Sequence, residues 1–322
     1  MSAHPQRPRA LLILGMHRSG TSAVTRVVNL LGANIGKNIL LPGHGNSEGF
    51  WEHFEAVHVD HDMLLAFGHT WFDIRRLPAD WQQQAAGREA LERIKGIIQK
   101  EFVGQPLVAI KDPRMCLTAP LWIEAFEAAG FEVQCLFVVR DPREVADSLQ
   151  AREKWPREPI FLLWAHYMME AMLATRQCKR SLITYDQLLD DWRGTLHRVT
   201  SELQLAWPRG EDATASDIDA FLHKGHRHHT AAGDIGAKDS AKDMPPFVAE
   251  FYADCLAVAN GHDDWSKLDE AALTLRKISD LFTPHLDNLA TQHEVAQNQL
   301  TAKVQAFENL LKTIVSNIQP KS

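Results

Sequence analysis

The order of elements near the start of this chain constrains its fold more than any other feature. Leu11-Leu12-Ile13-Leu14 is a short apolar run that reads as a buried strand, and Gly15-Met16-His17-Arg18-Ser19-Gly20-Thr21-Ser22 follows it directly. Beyond the loop, Ala23, Val24, Val27, Val28 and Leu31 fall on one face of a helix. Strand, glycine-bounded loop and helix in that order bring free backbone amides and the positive end of a helix dipole to one point, which makes an anion site. The plainer alternative is a turn that binds nothing. The clustering of Arg18, Ser19, Thr21 and Ser22 favours the anion.

Further apolar runs, Leu107 to Ile110, Val133 to Val139 and Leu182 to Thr184, read as buried strands, with helical patterns such as Leu117 to Ala129 and Pro142 to Arg152 between them. This alternation predicts an α/β fold with a mostly parallel sheet. The stretch from Asn38 to Phe72 reads as an insertion in which Pro42-Gly43-His44-Gly45-Asn46 is a loop, and Arg209 to Pro246 reads as irregular surface structure or a lid. The 322 residues allow one large domain or two. The expected division is a cofactor-binding domain over 1–245 and a helical extension over 246–322. In the extension, Thr283-Pro284 reads as a helix start. Leu286, Leu289, His293, Ala296, Leu300, Lys303, Phe307, Leu310 and Ile314 follow it in steps of three and four. That pattern suits either a coiled coil, giving a homodimer or a docked partner helix, or an amphipathic helix packed on its own domain.

Composition narrows the function classes. A net charge of −7 argues against a nucleic-acid reader, and 45% hydrophobic residues argue against a disordered chain. An anion must therefore be held by local positive charge. Cys116, Cys135, Cys178 and Cys255 are dispersed with no CxxC pair, so they read as reduced core thiols and the location as cytoplasmic. The apolar run from Ala10 to Leu14 is too short for a signal-peptide core, and no run reaches membrane-span length. His223, His226, His228 and His229 have no Cys or carboxylate at tetrahedral spacing, and no metal site is read there.

Gly15-x-x-x-x-Gly20-Thr21-Ser22 matches the spacing of the nucleotide-binding phosphate loop, except that Thr21 stands where that loop carries Lys. A P-loop kinase or NTPase is thus an alternative that Thr21 opposes, and a coiled-coil adaptor with a degenerate nucleotide domain is another. Met16 to Ser22 resembles the 5′-phosphosulfate loop of the sulfotransferases. Val138-Val139-Arg140-Asp141-Pro142-Arg143, with Ser148 on the next helix, is similar to that family's element for the 3′-phosphate of 3′-phosphoadenosine 5′-phosphosulfate (PAPS). Val108-Ala109-Ile110-Lys111-Asp112-Pro113-Arg114 resembles the Lys-Asp-Pro element of tyrosylprotein-type members. Asn46-Ser47-Glu48-Gly49-Phe50-Trp51-Glu52 resembles a stretch of bacterial carbohydrate-type members, and Ile183 to Leu189 is similar to an element beside the adenine.

The resemblance implies a P-loop-like three-layer fold and sulfuryl transfer from PAPS to a hydroxyl or amine, with a carbohydrate favoured as acceptor. It implies that His17, Arg18, Ser19, Gly20, Thr21, Ser22, Arg140, Ser148, Arg152 and Tyr185 hold the co-substrate, and that Arg18 and Lys111 stabilise the transferring group. Sulfuryl carries less negative charge than phosphoryl, so Lys and Arg can serve where kinases use Mg²⁺, and no metal is required. A general base is needed for the acceptor hydroxyl. Candidates are His44, Glu48, Glu52 and His53, with Glu52 favoured and a surface or capping carboxylate as its plainer alternative. Cytosolic small-molecule members place a His just after the strand-end Lys. Here Asp112 and Pro113 follow Lys111, which points away from that branch. Lys224-Gly225 and Arg227 are read as parts of a lid, and Trp51, Phe67, Trp71 and Phe72 as core more than sugar-stacking surfaces.

Overall fold

The structure is a computed structural model that describes residues 7–43, 49–223, 244–262 and 264–318. Its strands β1 (Arg9–Leu14), β2 (Leu107–Ile110), β3 (Glu132–Val139) and β4 (Lys179–Thr184) form one parallel sheet in the order β2-β1-β3-β4. Leu12 is in register with Ile110 on one side and Cys135 on the other, and Val139 with Thr184. The helices in chain order are α1 (Thr21–Leu30), α2 (Phe54–Ala66), α3 (Ala85–Glu101), α4 (Met115–Ala128), α5 (Pro142–Glu153), α6 (Arg157–Ala174), α7 (Tyr185–Asp190), α8 (Trp192–Leu203), α9 (Glu211–His223), α10 (Pro246–Ala259) and α11 (Trp265–Ile318).

Alternation along the strands makes two cores, one on each sheet face. Leu11, Ile13, Leu136 and Val138 pack with α1, α7, α8 and α9, while Ala10, Leu12, Leu14, Cys135, Phe137 and Val139 pack with α2 to α6 and α10. Because both faces are covered, the central strands are continuous apolar runs, and this gives the three-layer α/β fold. The connection after β1 leads to β2 on one side, and the connection after β3 leads to β4 on the other. The crevice between the carboxyl ends of β1 and β3 is therefore the switch point where α/β sheets bind ligands.

The structure corrects three of the sequence expectations. The Asn38–Phe72 stretch holds a full helix, α2, whose buried face includes Ala56, Val59, Met63 and Leu64. Arg209–Pro246 is not irregular throughout, since α9 occupies Glu211–His223. The C-terminal helix does not start at Thr283-Pro284, because α11 begins at Trp265 and runs through Pro284. Pro284 lies on an exposed stretch of that helix.

Two compact units are present, Met1–Leu275 and Arg276–Ser322. The first contains the sheet, both cores and α10, whose Val248, Phe251 and Cys255 are buried. The second is helical and exposes Leu281, Leu289, Leu300 and Phe307; the side chains of Leu310 and Ile314 lie outside the described residues. Among the described residues no helix is long and apolar enough to cross a membrane. All four cysteines are free thiols, with Cys178 only partly buried rather than in the core.

Candidate active site

The loop between β1 and α1 wraps the carboxyl end of β1 into the switch point. Arg18 (φ 69°) and Gly20 (φ 88°) both take left-handed backbone, and Gly20 caps α1. Only glycine suits that second position, because a Cβ there would come within 2.2 Å of the Tyr185 ring. Gly15 is equally tight, with a Cβ position 2.4 Å from the Val138 carbonyl oxygen. The Ser19 hydroxyl is fully buried and has no protein partner, at the place where an anion would sit on the helix N-terminus.

Two strand ends bring basic side chains to this loop by the same turn. After β2, Asp112 Oδ1 accepts from the Arg114 backbone N–H (3.1 Å) and from its guanidinium (2.8 Å). After β3, Asp141 Oδ1 accepts from the Arg143 N–H (2.9 Å) and Nε (2.9 Å) and caps α5. In each, a proline between acid and arginine fixes the backbone, and the residue before the acid, Lys111 or Arg140, is left at the strand's end. Arg140 lies beside the loop, with a guanidinium nitrogen 3.4 Å from the Arg18 carbonyl and its Cζ 5.3 Å from the Tyr185 ring centre. Its Nε donates to Glu144 at 2.7 Å. Arg18 Nε donates to Ser148 Oγ at 2.8 Å, so α5 and the loop are joined through residues that both belong to the expected site.

The Lys111 ammonium is 1% exposed. It donates to Glu52 Oε1 (2.6 Å), the Phe50 carbonyl (2.7 Å) and Ser22 Oγ (3.0 Å), linking β2, α1 and the segment before α2. Trp51, between Phe50 and Glu52, takes φ 55° and lies under the Arg26 guanidinium at 4.4 Å. That bend turns the Phe50 carbonyl and the Glu52 carboxylate to the same ammonium. His53 is not brought to this cluster. It packs against Phe102 and Gly36, and the charges that reach it are those of Glu101, Glu55 and Lys100. His44 and Glu48 lie outside the described residues, as do Asn46, Ser47, Lys224, Gly225, Arg227 and the cluster His226, His228 and His229.

His17 faces the other wall, with its ring 4.7 Å from Trp71 and 5.8 Å from Tyr167 and its Nε2 buried without a partner. Burial, and then the charges of Arg114, Arg152, Lys111 and Arg18, hold its pKa well below the ordinary value. Burial lowers that of Arg18 as well, followed by repulsion from Arg152 and Arg140. Arg152 pairs with Glu153 at 2.6 Å and lies over Trp71 at 5.6 Å. Trp71 in turn stacks on Trp155, and Phe72 is half exposed, so these aromatics are not simple core.

Several members of this site were not assigned a role from sequence. Arg114 stood in the Lys-Asp-Pro-Arg motif, and its spacing from Asp112 is the signal that could have found it. Asp60 carried no signal. It is 1% exposed, and its Oδ1 accepts from Thr118 (2.8 Å) and Trp122 (3.0 Å). Burial and then the Asp112 charge raise its pKa well above the ordinary value. Burial likewise takes Asp112 up to about 6 against the opposing Arg114 charge. Among the described residues, no group of three or more His, Cys, Asp or Glu is placed to hold a metal ion.

No family model matches the chain, and no curated protein is similar to it in sequence. Among solved structures it is similar to the sulfotransferase domain of the Synechococcus PCC 7002 olefin synthase. That alignment has 15% identity over 88% of this chain and 97% of that one, with a TM-score of 0.41. It is also similar to the sulfotransferase domain of the curacin biosynthetic pathway, at 17% identity over 62% of this chain and 75% of that one, with a TM-score of 0.34. The functional assignment rests on the residues of this chain.

Proposed function

We propose that this protein is a sulfotransferase that moves the sulfuryl group of PAPS to an acceptor hydroxyl, with a carbohydrate as the favoured acceptor. The observation that carries the reading is the approach of Arg140 and Arg152 to Arg18, close enough to repel its guanidinium, around a loop whose Ser19 hydroxyl is buried without a partner. A polyanion relieves both conditions at once. Ser19, Gly20, Thr21 and Ser22 would hold the 5′-phosphate at the N-terminus of α1, and Arg140 with Ser148 the 3′-phosphate. Tyr185, against Gly20 and Arg140, suits the nucleoside side. In transfer, the acceptor oxygen bonds to sulfur as the sulfur–oxygen bond to the 5′-phosphate breaks. Glu52 takes the acceptor's proton, and Lys111 and Arg18 stabilise the charge on the bridging oxygen. Lys111 must exchange one of its three partners to do so, and Ser22 is a neutral one beside the 5′-phosphate position.

Calorimetry with the desulfated product, 3′-phosphoadenosine 5′-phosphate (PAP), tests this against ATP with and without Mg²⁺. PAP is expected to bind without metal and to lose affinity in Arg140→Ala, whereas Mg²⁺-dependent ATP binding with no PAP binding would reject the reading. We also propose that residues beyond Thr283 pair two copies of the chain through the exposed apolar positions of α11.

A further inference from the structure

Next to the loop wall formed by Trp71 and Tyr167 lies a polar recess of about 370 Å³, counting its open mouth. Thr70 immediately precedes Trp71, and His166 immediately precedes Tyr167, whose hydroxyl donates to the Trp71 carbonyl. Both aromatic rings touch His17 of the anion loop, so recess and loop are joined through one wall.

The charges in the recess are compensated from within. Arg76 pairs with Glu170 at 2.9 Å, Arg75 with Asp73 at 2.5 Å, and His69 Nδ1 lies 3.8 Å from the same Asp73. Burial pushes the Asp73 pKa up, but the hydrogen bonds from Arg75 and nearby positive charge bring it below the ordinary value. Burial lowers that of His166, against the smaller pull of Glu170 and Asp73. A charged ligand here would have to displace one member of an ion pair and leave the other in a poorly hydrated place.

The atoms that lack partners are neutral ones. Thr70 Oγ1 and His166 Nδ1 are both sealed and unbonded, and His166 is 5% exposed. A hydroxyl both donates and accepts, so it satisfies either tautomer of His166 and either sense of the Thr70 bond. Trp81 and Leu64, Leu77 and Leu117 supply the apolar part of the lining. The free interior holds about two water molecules, which is room for a hydroxyl or hydroxymethyl group rather than a whole ring.

We propose that the recess seats the uncharged, hydroxyl-bearing end of the acceptor, a neutral sugar or other polyol, and that the Thr70 and His166 side chains, which line it, turn to bring Oγ1 and Nδ1 to that hydroxyl as its hydrogen-bond partners. This rests on the sulfotransferase reading for its place in catalysis. The test is NMR titration of the full-length protein, with and without saturating PAP, using methyl α-D-glucopyranoside and myo-inositol as neutral probes and D-glucuronate and D-glucosamine as charged ones. The neutral probes are expected to bind more tightly than the charged ones. Thr70→Val and His166→Phe should each weaken them about tenfold, the loss of one hydrogen bond to a buried group. Thr70→Ser should restore binding, and PAP affinity should stay unchanged in all variants as proof of an intact fold. Equal or tighter binding of the charged probes, no neutral binding in either titration, or unaltered affinity in both variants would overturn the proposal and leave a water-filled structural recess. Absence of PAP binding to the wild type would reject the sulfotransferase reading separately.

Discussion

Replacing Lys111 by Ala removes an ammonium that is 1% exposed and leaves three acceptors behind, the Glu52 carboxylate, the Phe50 carbonyl and the Ser22 hydroxyl. Glu52 is itself only 7% exposed, so its charge loses its partner in a place water barely reaches. Breaking one side of such a pair costs about 3–5 kcal/mol, whereas removing both charges at constant volume is often close to neutral. Lys111→Ala is thus expected to lower the melting temperature by about 6–20 °C, at roughly 2–4 °C per kcal/mol for a unit of this size. The double variant Lys111→Met with Glu52→Gln should fall within about 2 kcal/mol of wild type. Urea unfolding followed by circular dichroism, backed by thermal melts, measures both. A single variant within about 1 kcal/mol of wild type, or a double variant no more stable than the single one, would show that the ion pair is not the buried strut described. Both variants should be inactive in sulfuryl transfer, because each removes groups assigned to the chemistry.

Gly20→Ala should cost stability and PAP affinity together, since φ 88° strains an L residue and the new methyl overlaps Tyr185. Gly104→Ala, with φ 87° and open space around it, should pay only the backbone cost of about 1–2 kcal/mol, and equal melting temperatures for the two would refute the packing argument. For Asp60, a raised folded-state pKa means the native state holds the proton more tightly than the unfolded chain. Its stabilising contribution is complete at low pH and is lost as pH rises from the ordinary carboxylate range through the raised value. Asp60→Asn should therefore flatten the pH dependence of stability above pH 4, and an unchanged slope in denaturant titrations would count against a buried protonated acid. If α11 pairs two copies, Leu289→Asp with Leu300→Asp should halve the mass seen by sedimentation, and a monomeric wild type would end that proposal.

The strand–loop–helix unit was legible in the sequence because three periodicities change abruptly at Gly15 and Gly20, and the buried strands because both faces of the sheet are covered. Helix α2 was hidden for a physical reason. Its buried face contains Asp60, and His58, His61 and Asp62 interrupt the apolar pattern, so no helix is read there within the Asn38–Phe72 insertion. Pro284 misled in the opposite way, since a proline on an exposed stretch can sit within a helix. At the site, Arg18, Lys111, Arg140 and Ser148 could be read from motifs that fix their backbone. The actual partners of Lys111, Phe50 by its carbonyl and Ser22 by its hydroxyl, depend on tertiary approach and leave no local trace. The separation of His53 from Glu52 follows from neighbouring side chains leaving the backbone in different directions at the start of α2.

The paired Asp-Pro-Arg turns after β2 and β3 make the two posts of the site mechanically separate. Each turn closes on its own acid and its own arginine, so neither basic side chain depends on the other for its anchorage. The distance between the posts is set by β1, the strand that lies between them, and the identity of each post by the single residue before its acid. The span between the two posts therefore belongs to the sheet, while what holds each post belongs to its own side chain, with Lys111 paired to Glu52 and Arg140 to Glu144.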